Sequence, residues 1–243
     1  MISKRLIKCL TAKEYFQHKN LMTIMLVLYT HNTPNGHKIS IALEELGLEF
    51  RVERVNIFVG EQFAANFTAL SPNGKIPVLV DEEADVSVYE SNAILLYLAD
   101  KTQRLMPAGL KQRQEAMQLL FLQAASVGPM FGQRAYYVLF SPEAVPAAQA
   151  RYTAEAERLE RLLEQLLHDR DYFCGDYSIV DIAMLGWINT SVASFFSLDA
   201  LPNLAGWFQR VASRPAVQKG LTIPDLLIDF TPLHDKAKAD GRI

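Results

Sequence analysis

Cysteine is nearly absent from this chain: Cys9 and Cys174 are two of 243 residues. Neither stands in a Cys-x-x-Cys or metal-ligand spacing, which excludes a disulfide framework and makes a reducing, cytoplasmic setting the expectation. Net charge is nearly absent too, at -3 with a pI near 6.0, so there is no general attraction to nucleic acid or to an anionic membrane. No apolar run reaches the roughly 18 residues that a membrane span needs. Nucleic acid and membrane are therefore set aside as partners, and no internal repeat suggests a solenoid.

What is present is a half-apolar composition, enough for one sizeable core or two modest ones. Residues 1–24 differ from the rest: Lys4, Arg5, Lys8, Lys13 and Lys19 face only Glu14, and no uninterrupted apolar stretch follows as a secretory signal requires. They read as a poorly ordered extension, with Met22 and Met25 just before the first strand.

Leu26 to Thr30 reads as a strand that breaks into Thr33-Pro34-Asn35-Gly36, where a hydroxyl, a first-turn proline and an amide precede the helical rhythm Ile39, Ala42, Leu43, Leu46. Gly47 closes that helix. Alternation over Glu49 to Asn56 marks a second strand, a short helix covers Gln62 to Ala69, and Ile76 to Asp81 and Val86 to Tyr89 are the third and fourth strands around an acidic turn. Ser91 to Leu98 is the third helix. The order fits a small mixed sheet over residues 25–105. From residue 111 to 221 the period is helical throughout, with a kink expected at Gly128-Pro129 and a capping box at Ser178 and Asp181, with Tyr177 packing on Ile182. Residues 222–243 read as a tail without a core of its own.

Pro34-Asn35-Gly36, the run Ser71-Pro72-Asn73-Gly74-Lys75-Ile76-Pro77-Val78-Leu79, Glu90-Ser91-Asn92-Ala93-Ile94 and Tyr177-Ser178-Ile179-Val180-Asp181 resemble, in this order, the cytosolic glutathione transferase family. Thr33 to Lys38, with Gly60-Glu61-Gln62-Phe63 downstream, is most similar to its bacterial Nu-class branch of glutathione-dependent disulfide reductases. The resemblance implies a thioredoxin-like α/β N-terminal domain, an all-α C-terminal domain and a homodimer. It also implies glutathione as co-substrate, no metal, and a small disulfide or electrophile as the second reactant.

Residue by residue, the resemblance assigns Glu90 and Ser91 to the γ-glutamyl end of glutathione, where an acid meets the amine and a hydroxyl at a helix N-terminus meets the carboxylate. Lys75, Ile76 and Pro77 belong to the cis-proline segment that offers its backbone to the cysteinyl part. Gln62 is placed at the glycine end, and Arg151 at a terminal carboxylate or a second glutathione. No cysteine stands at the first helix, so the thiol of glutathione must be the nucleophile. Thr33, by hydroxyl or backbone amide, and Asn35, by side-chain amide, are the expected thiolate donors; Tyr29, near the end of the first strand, is the rival. Met130, Phe131, Tyr136 and Tyr137 are candidates for an acceptor pocket, against simple helix packing. His31 and His37 read as surface histidines and Cys174 as a small buried filler. A conjugating transferase, or a binding protein with little turnover, remains an alternative to the disulfide reductase.

Overall fold

The computed structural model describes residues 26–194, 197–225 and 231–242; the expected extension, residues 1–24, lies outside them. Strand β1 (Leu26–Thr30) turns Leu26 and Leu28 into the main core and Tyr29 into a smaller cluster with Val55, Phe67 and Val78, as the two-residue period of a strand requires. Helix α1 (Pro34–Leu46) starts because Thr33, in extended conformation, accepts from the Gly36 amide at 3.1 Å, and it stops at Gly47, whose φ of 67° suits a residue without a side chain. Strand β2 (Phe50–Arg54) follows. The expected short helix is split into a 3-10 turn, Glu61–Phe63, and α2 (Ala65–Thr68). Strands β3 (Val78–Asp81) and β4 (Val86–Tyr89) then lead into α3 (Ser91–Thr102).

The sheet order is β2-β1-β3-β4, parallel between β1 and β2 and antiparallel elsewhere. Register sets Thr30 beside Arg54, Tyr29 beside Val78, and Val78 beside Tyr89. The segments after β1, after β2, before β3 and after β4 therefore emerge at one end of the sheet. These are the four segments that hold the candidate ligand-binding residues of the N-terminal half.

The second half contains α4 (Leu110–Leu122), α5 (Gly128–Ala135), α6 (Pro146–Leu166), α7 (Ile179–Ser194), α8 (Pro202–Ala212), α9 (Pro215–Gly220) and α10 (Thr231–Ala239). The irregularity expected at Gly128-Pro129 takes the form of a π turn, Gln123–Val127, joining α4 to α5; Pro129 offers no amide to the turn before it. A second π turn, Tyr136–Phe140, ends α5. One core spans both halves, from Leu28 and Ile39 to Leu185 and Ile188, each fully buried and each contributing about 1.5–3 kcal/mol by area.

Helix α1 is the shared element. A Cβ at Gly186 of α7 would lie 2.4 Å from the Pro34 carbonyl, and one at Gly220 would lie 2.6 Å from Ile41 Cα, so both glycines permit backbones to touch. Ser40 Oγ donates to the Gly220 carbonyl at 2.7 Å, and Arg214 grips Glu45 with two bonds of 2.6 and 2.9 Å. Tyr177 packs against the core that contains Ile182, lies under the Arg214 guanidinium at 3.8 Å and donates to Glu45. The closing segment departs from expectation. Helix α10 packs Ala237 against Val138 and Leu139, and Arg242 donates to the Ser141 carbonyl at 2.8 Å. Among the described residues the apolar part of that contact rests on the small Ala237, which is why apolar periodicity does not reveal it.

Candidate functional site

At the end of the sheet described above, each predicted residue of the N-terminal half has a definite place. Thr33 Oγ1 accepts from Gly36, which leaves its hydroxyl proton to donate. The loop is tight: a Cβ at Gly36 would lie 2.4 Å from the His31 carbonyl and 2.5 Å from Thr30 Oγ1. Asn35 Oδ1 accepts from the indole of Trp187 on α7 at 3.1 Å. An indole N–H only donates, so it holds the oxygen of Asn35 and turns the amide's two N–H donors elsewhere. Trp187 itself is confined between Gly128 and Gly132, where an added Cβ would lie 3.2 and 3.1 Å from the ring.

The Ile76-Pro77 bond is cis, as expected, and Ser71 steadies the loop before it by donating to the Lys75 carbonyl at 2.9 Å. Lys75 is exposed and Ile76 half-buried. Gln62 donates to the Ile57 carbonyl at 3.3 Å, while its Oε1 is buried without a protein partner. Glu90 adopts φ 69°, ψ 114° immediately before α3, a conformation that costs a residue with a side chain about 1–3 kcal/mol. Ser91 is the first residue of α3, so an anion there meets free backbone amides as well as the hydroxyl.

Tyr29 is on the other face of β1 from the helix α1 core, with its ring 6.3 Å from Phe67. The histidines are not at the surface. His31 is 3% exposed and edge-on to Phe58, and burial lowers its pKa; His37 is 9% exposed, and burial pushes it down to about 4. Both stay neutral at neutral pH. The reason is packing from distant segments: Phe58, after β2, lies against His31, and the close contact of α1 with the helical half encloses His37. Among the described residues no group of three potential ligands is assembled for a metal. Cys174 is half-buried, and burial pushes its thiol up to about 11, which suppresses the thiolate.

The helical half divides the remaining candidates. Arg151 is exposed on α6 and shares a groove of about 890 Å³ with Met130, Ser126, Tyr152 and Arg158. Tyr137 is stacked on Tyr152 and edge-on to Tyr136, which is 46% exposed. Phe131 is a correction: at 1% exposure it is core, beneath the Arg134 guanidinium, and it lines no open pocket.

Two participants were not visible as such in the sequence. Lys38 is 1% exposed and donates to Ser91, Asn92 and Gln123; burial pushes it down to about 7, with Glu90 acting in the opposite direction. A lysine beside Ile39, on the apolar stripe of α1, was the available signal. Trp187 had none, because α7 has no distinct apolar face from which its partners could be read.

Family models of the glutathione S-transferase N-terminal and C-terminal domains match residues 33–101 and 127–215. The chain belongs to the glutathione S-transferase family. Disulfide-bond oxidoreductase YfcG of Escherichia coli (strain K12) is 39% identical to it over 203 residues, covering 81% of this chain and 94% of the relative. A glutathione transferase from Pseudomonas putida, solved with one glutathione disulfide per subunit, superposes with a TM-score of 0.78 at 34% identity and covers 82% of this chain and 92% of its own. One from Burkholderia graminis, solved with two glutathione molecules per subunit, gives 0.79 at 35% identity, covering 88% and 95%. The thioredoxin-like sheet followed by helices is the architecture of this family, and among the described residues no helix is long and apolar enough to cross a membrane.

Proposed function

We propose that this transferase-family enzyme binds glutathione at the common end of its sheet and uses the thiolate to reduce small disulfides. The observation that carries the reading is the convergence there of Thr33, Asn35, Gln62, Ile76, Glu90 and Ser91 from four segments, with polar capacity left over. The buried Gln62 Oε1 calls for a donor, and a peptide such as glutathione supplies one. In this reading Lys75, Ile76 and Pro77 meet the cysteinyl part, Glu90 pairs with the γ-glutamyl amine, and Ser91 receives its carboxylate. Arg151, on its groove, answers a terminal carboxylate or a second glutathione. Met130, Tyr136 and Tyr137 remain the candidates for the acceptor wall.

An ordinary thiol titrates near 8.5, and lowering it by about two units takes roughly 2.7 kcal/mol of thiolate stabilisation. A hydrogen bond to a charged acceptor supplies about 1.5–3 kcal/mol. The Asn35 amide turned by Trp187, with Thr33 at the start of α1, is sufficient. The thiolate attacks one sulfur of the disulfide, forms the mixed disulfide and releases the other sulfur as a thiolate; a second glutathione thiolate then forms glutathione disulfide and releases the remaining thiolate. Both leaving thiolates take their protons from solvent. A homodimer in a reducing cytoplasm belongs to the same reading, supported by the family resemblance and by the scarcity of cysteine.

The test is a glutathione titration with turnover of a hydroxyethyl disulfide beside an aryl halide. Saturable binding and disulfide turnover well above conjugation are expected. Faster conjugation makes the protein a conjugating transferase, and absence of glutathione binding removes the reading.

A further inference from the structure

Lys38 lies one turn beyond Asn35 on α1, beneath the start of α3. Its Nζ donates to Gln123 Oε1 at 2.7 Å, to Ser91 Oγ at 3.2 Å and to Asn92 Oδ1 at 3.3 Å. All three acceptors are neutral. The amides are held in place, since Asn92 Nδ2 donates to Gln123 Oε1 at 2.9 Å and to the Leu120 carbonyl at 2.8 Å. The charged group that faces Lys38 is Glu90, which is exposed and outside hydrogen-bonding contact with it. Helix α7 packs Gly186 on the Lys38 stem, and its acid Asp181 is engaged with Phe173, Ser178 and Trp207. On α1 itself, His37 is neutral.

A buried ammonium surrounded by neutral oxygens lacks a counter-charge, and such a group is either neutralised or paired. The one acceptor that leads out of the cluster is Ser91. With its oxygen accepting from Lys38, the Ser91 hydroxyl keeps its proton for an acceptor on the ligand side. We propose that Lys38 is the buried cation of the ligand's α-carboxylate subsite, acting through the Ser91 hydroxyl on an anion bound at the start of α3. The inference rests on the glutathione reading and names the positioning charge behind it. Three donated bonds are those of the ammonium; without ligand, burial favours the neutral amine above pH 7, which keeps two N–H donors for the amides and can accept from the Ser91 hydroxyl in place of the third. An arriving carboxylate restores the charge, so the Nζ takes a proton from solvent as the ligand binds.

S-methylglutathione is the probe, because it keeps both carboxylates and the amine and has no thiol to ionise. Calorimetric titration of the full chain in buffers of different ionisation enthalpy gives the protons taken up. The expected uptake is about 0.7 proton per site at pH 7.5 and near zero at pH 5.5. Lys38→Met loses the uptake and binds about tenfold or more weakly at pH 6. The same peptide with γ-aminobutyrate in place of its γ-glutamyl group lacks only the α-carboxylate. It binds the wild type more weakly, to the point of no detectable binding, and without the uptake. Binding of S-methylglutathione to the wild type with no uptake at pH 7.5 overturns the Lys38 assignment and leaves the glutathione reading intact. Equal uptake with the decarboxylated peptide also overturns it, because the cation then answers another group. No binding of S-methylglutathione removes the glutathione reading and this assignment together.

Discussion

The starts of α7 and α1 use the same local chemistry, a hydroxyl cap, and differ in how much polar capacity they leave unused. At α7, Asp181 Oδ2 accepts from the Ser178 amide at 2.9 Å and from its hydroxyl at 3.2 Å, while Oδ1 accepts from Trp207 at 2.8 Å and Phe173 at 3.2 Å. Every oxygen of this buried carboxylate is satisfied inside the protein. At α1 the Thr33 hydroxyl proton, the Asn35 amide donors and the nearby Gln62 Oε1 are left over, and Lys38 has no salt-bridge partner among the described residues. Buried polar groups cost stability unless paired, so a closed network reads as structural and an open one as a site for something the chain does not contain.

The largest test of that contrast is Asp181→Ala. It orphans the Trp207 and Phe173 donors in the core and should lower stability by about 3–5 kcal/mol in urea unfolding. Molecules that remain folded should bind glutathione with unchanged affinity. A specific loss of binding at constant stability would break the comparison.

Asn35→Ala should do the opposite. It should raise the pKa of bound glutathione and cut turnover near neutral pH by about 10- to 100-fold, the equivalent of one charged hydrogen bond, with stability changed by less than about 1 kcal/mol. Thiolate absorbance against pH checks it directly. Trp187→Phe, acting only through the orientation of Asn35, should show a smaller shift in the same direction. Tyr29→Phe should leave the thiol unchanged; a strong rise there beside a silent Asn35→Ala would transfer the role to Tyr29.

Glu90 sharpens the comparison because backbone strain and the proposed ligand contact meet in one residue. Glu90→Gly relieves the positive φ and should hold or gain up to about 1 kcal/mol of stability, while glutathione binding weakens by about 1–3 kcal/mol. Calorimetry paired with urea unfolding reads both changes, and a loss of stability would show that Glu90 is structural.

The smallest effect is a pH slope. Burial holds His37 at about 4 in the folded protein against an ordinary value near 6.5, so the unfolded chain binds the extra proton between those values. Its contribution to stability is complete above pH 6.5 and disappears as pH falls toward 4, a loss of about 1.4 kcal/mol by pH 5.5. His37→Leu should flatten that part of the stability profile. An unchanged slope would assign the acid sensitivity to other groups.

Legibility followed the range of the interaction. Thr33 and Pro34 marked the start of α1, Gly47 its end, and Ser178 with Asp181 the start of α7, because caps are formed by residues within four positions of each other. Strand alternation in β1 sufficed to separate Leu28 from Tyr29. Phe131, His31 and His37 were misplaced for one reason: whether a face is covered depends on what packs on it from elsewhere.

By itself the sequence determined the family, the order of strands and helices in the N-terminal half, and the residue types that suit a charged peptide ligand, since each is written in short motifs and in local periodicity. Tertiary structure decided which donors are left for a ligand. Trp187 reaches Asn35 across 152 positions and Gln123 reaches Lys38 across 85, and only folding brings such partners within hydrogen-bond distance. It also decided the state of Lys38, because a lysine's charge depends on the water and counter-ions around it, and both were removed by elements far away in the chain.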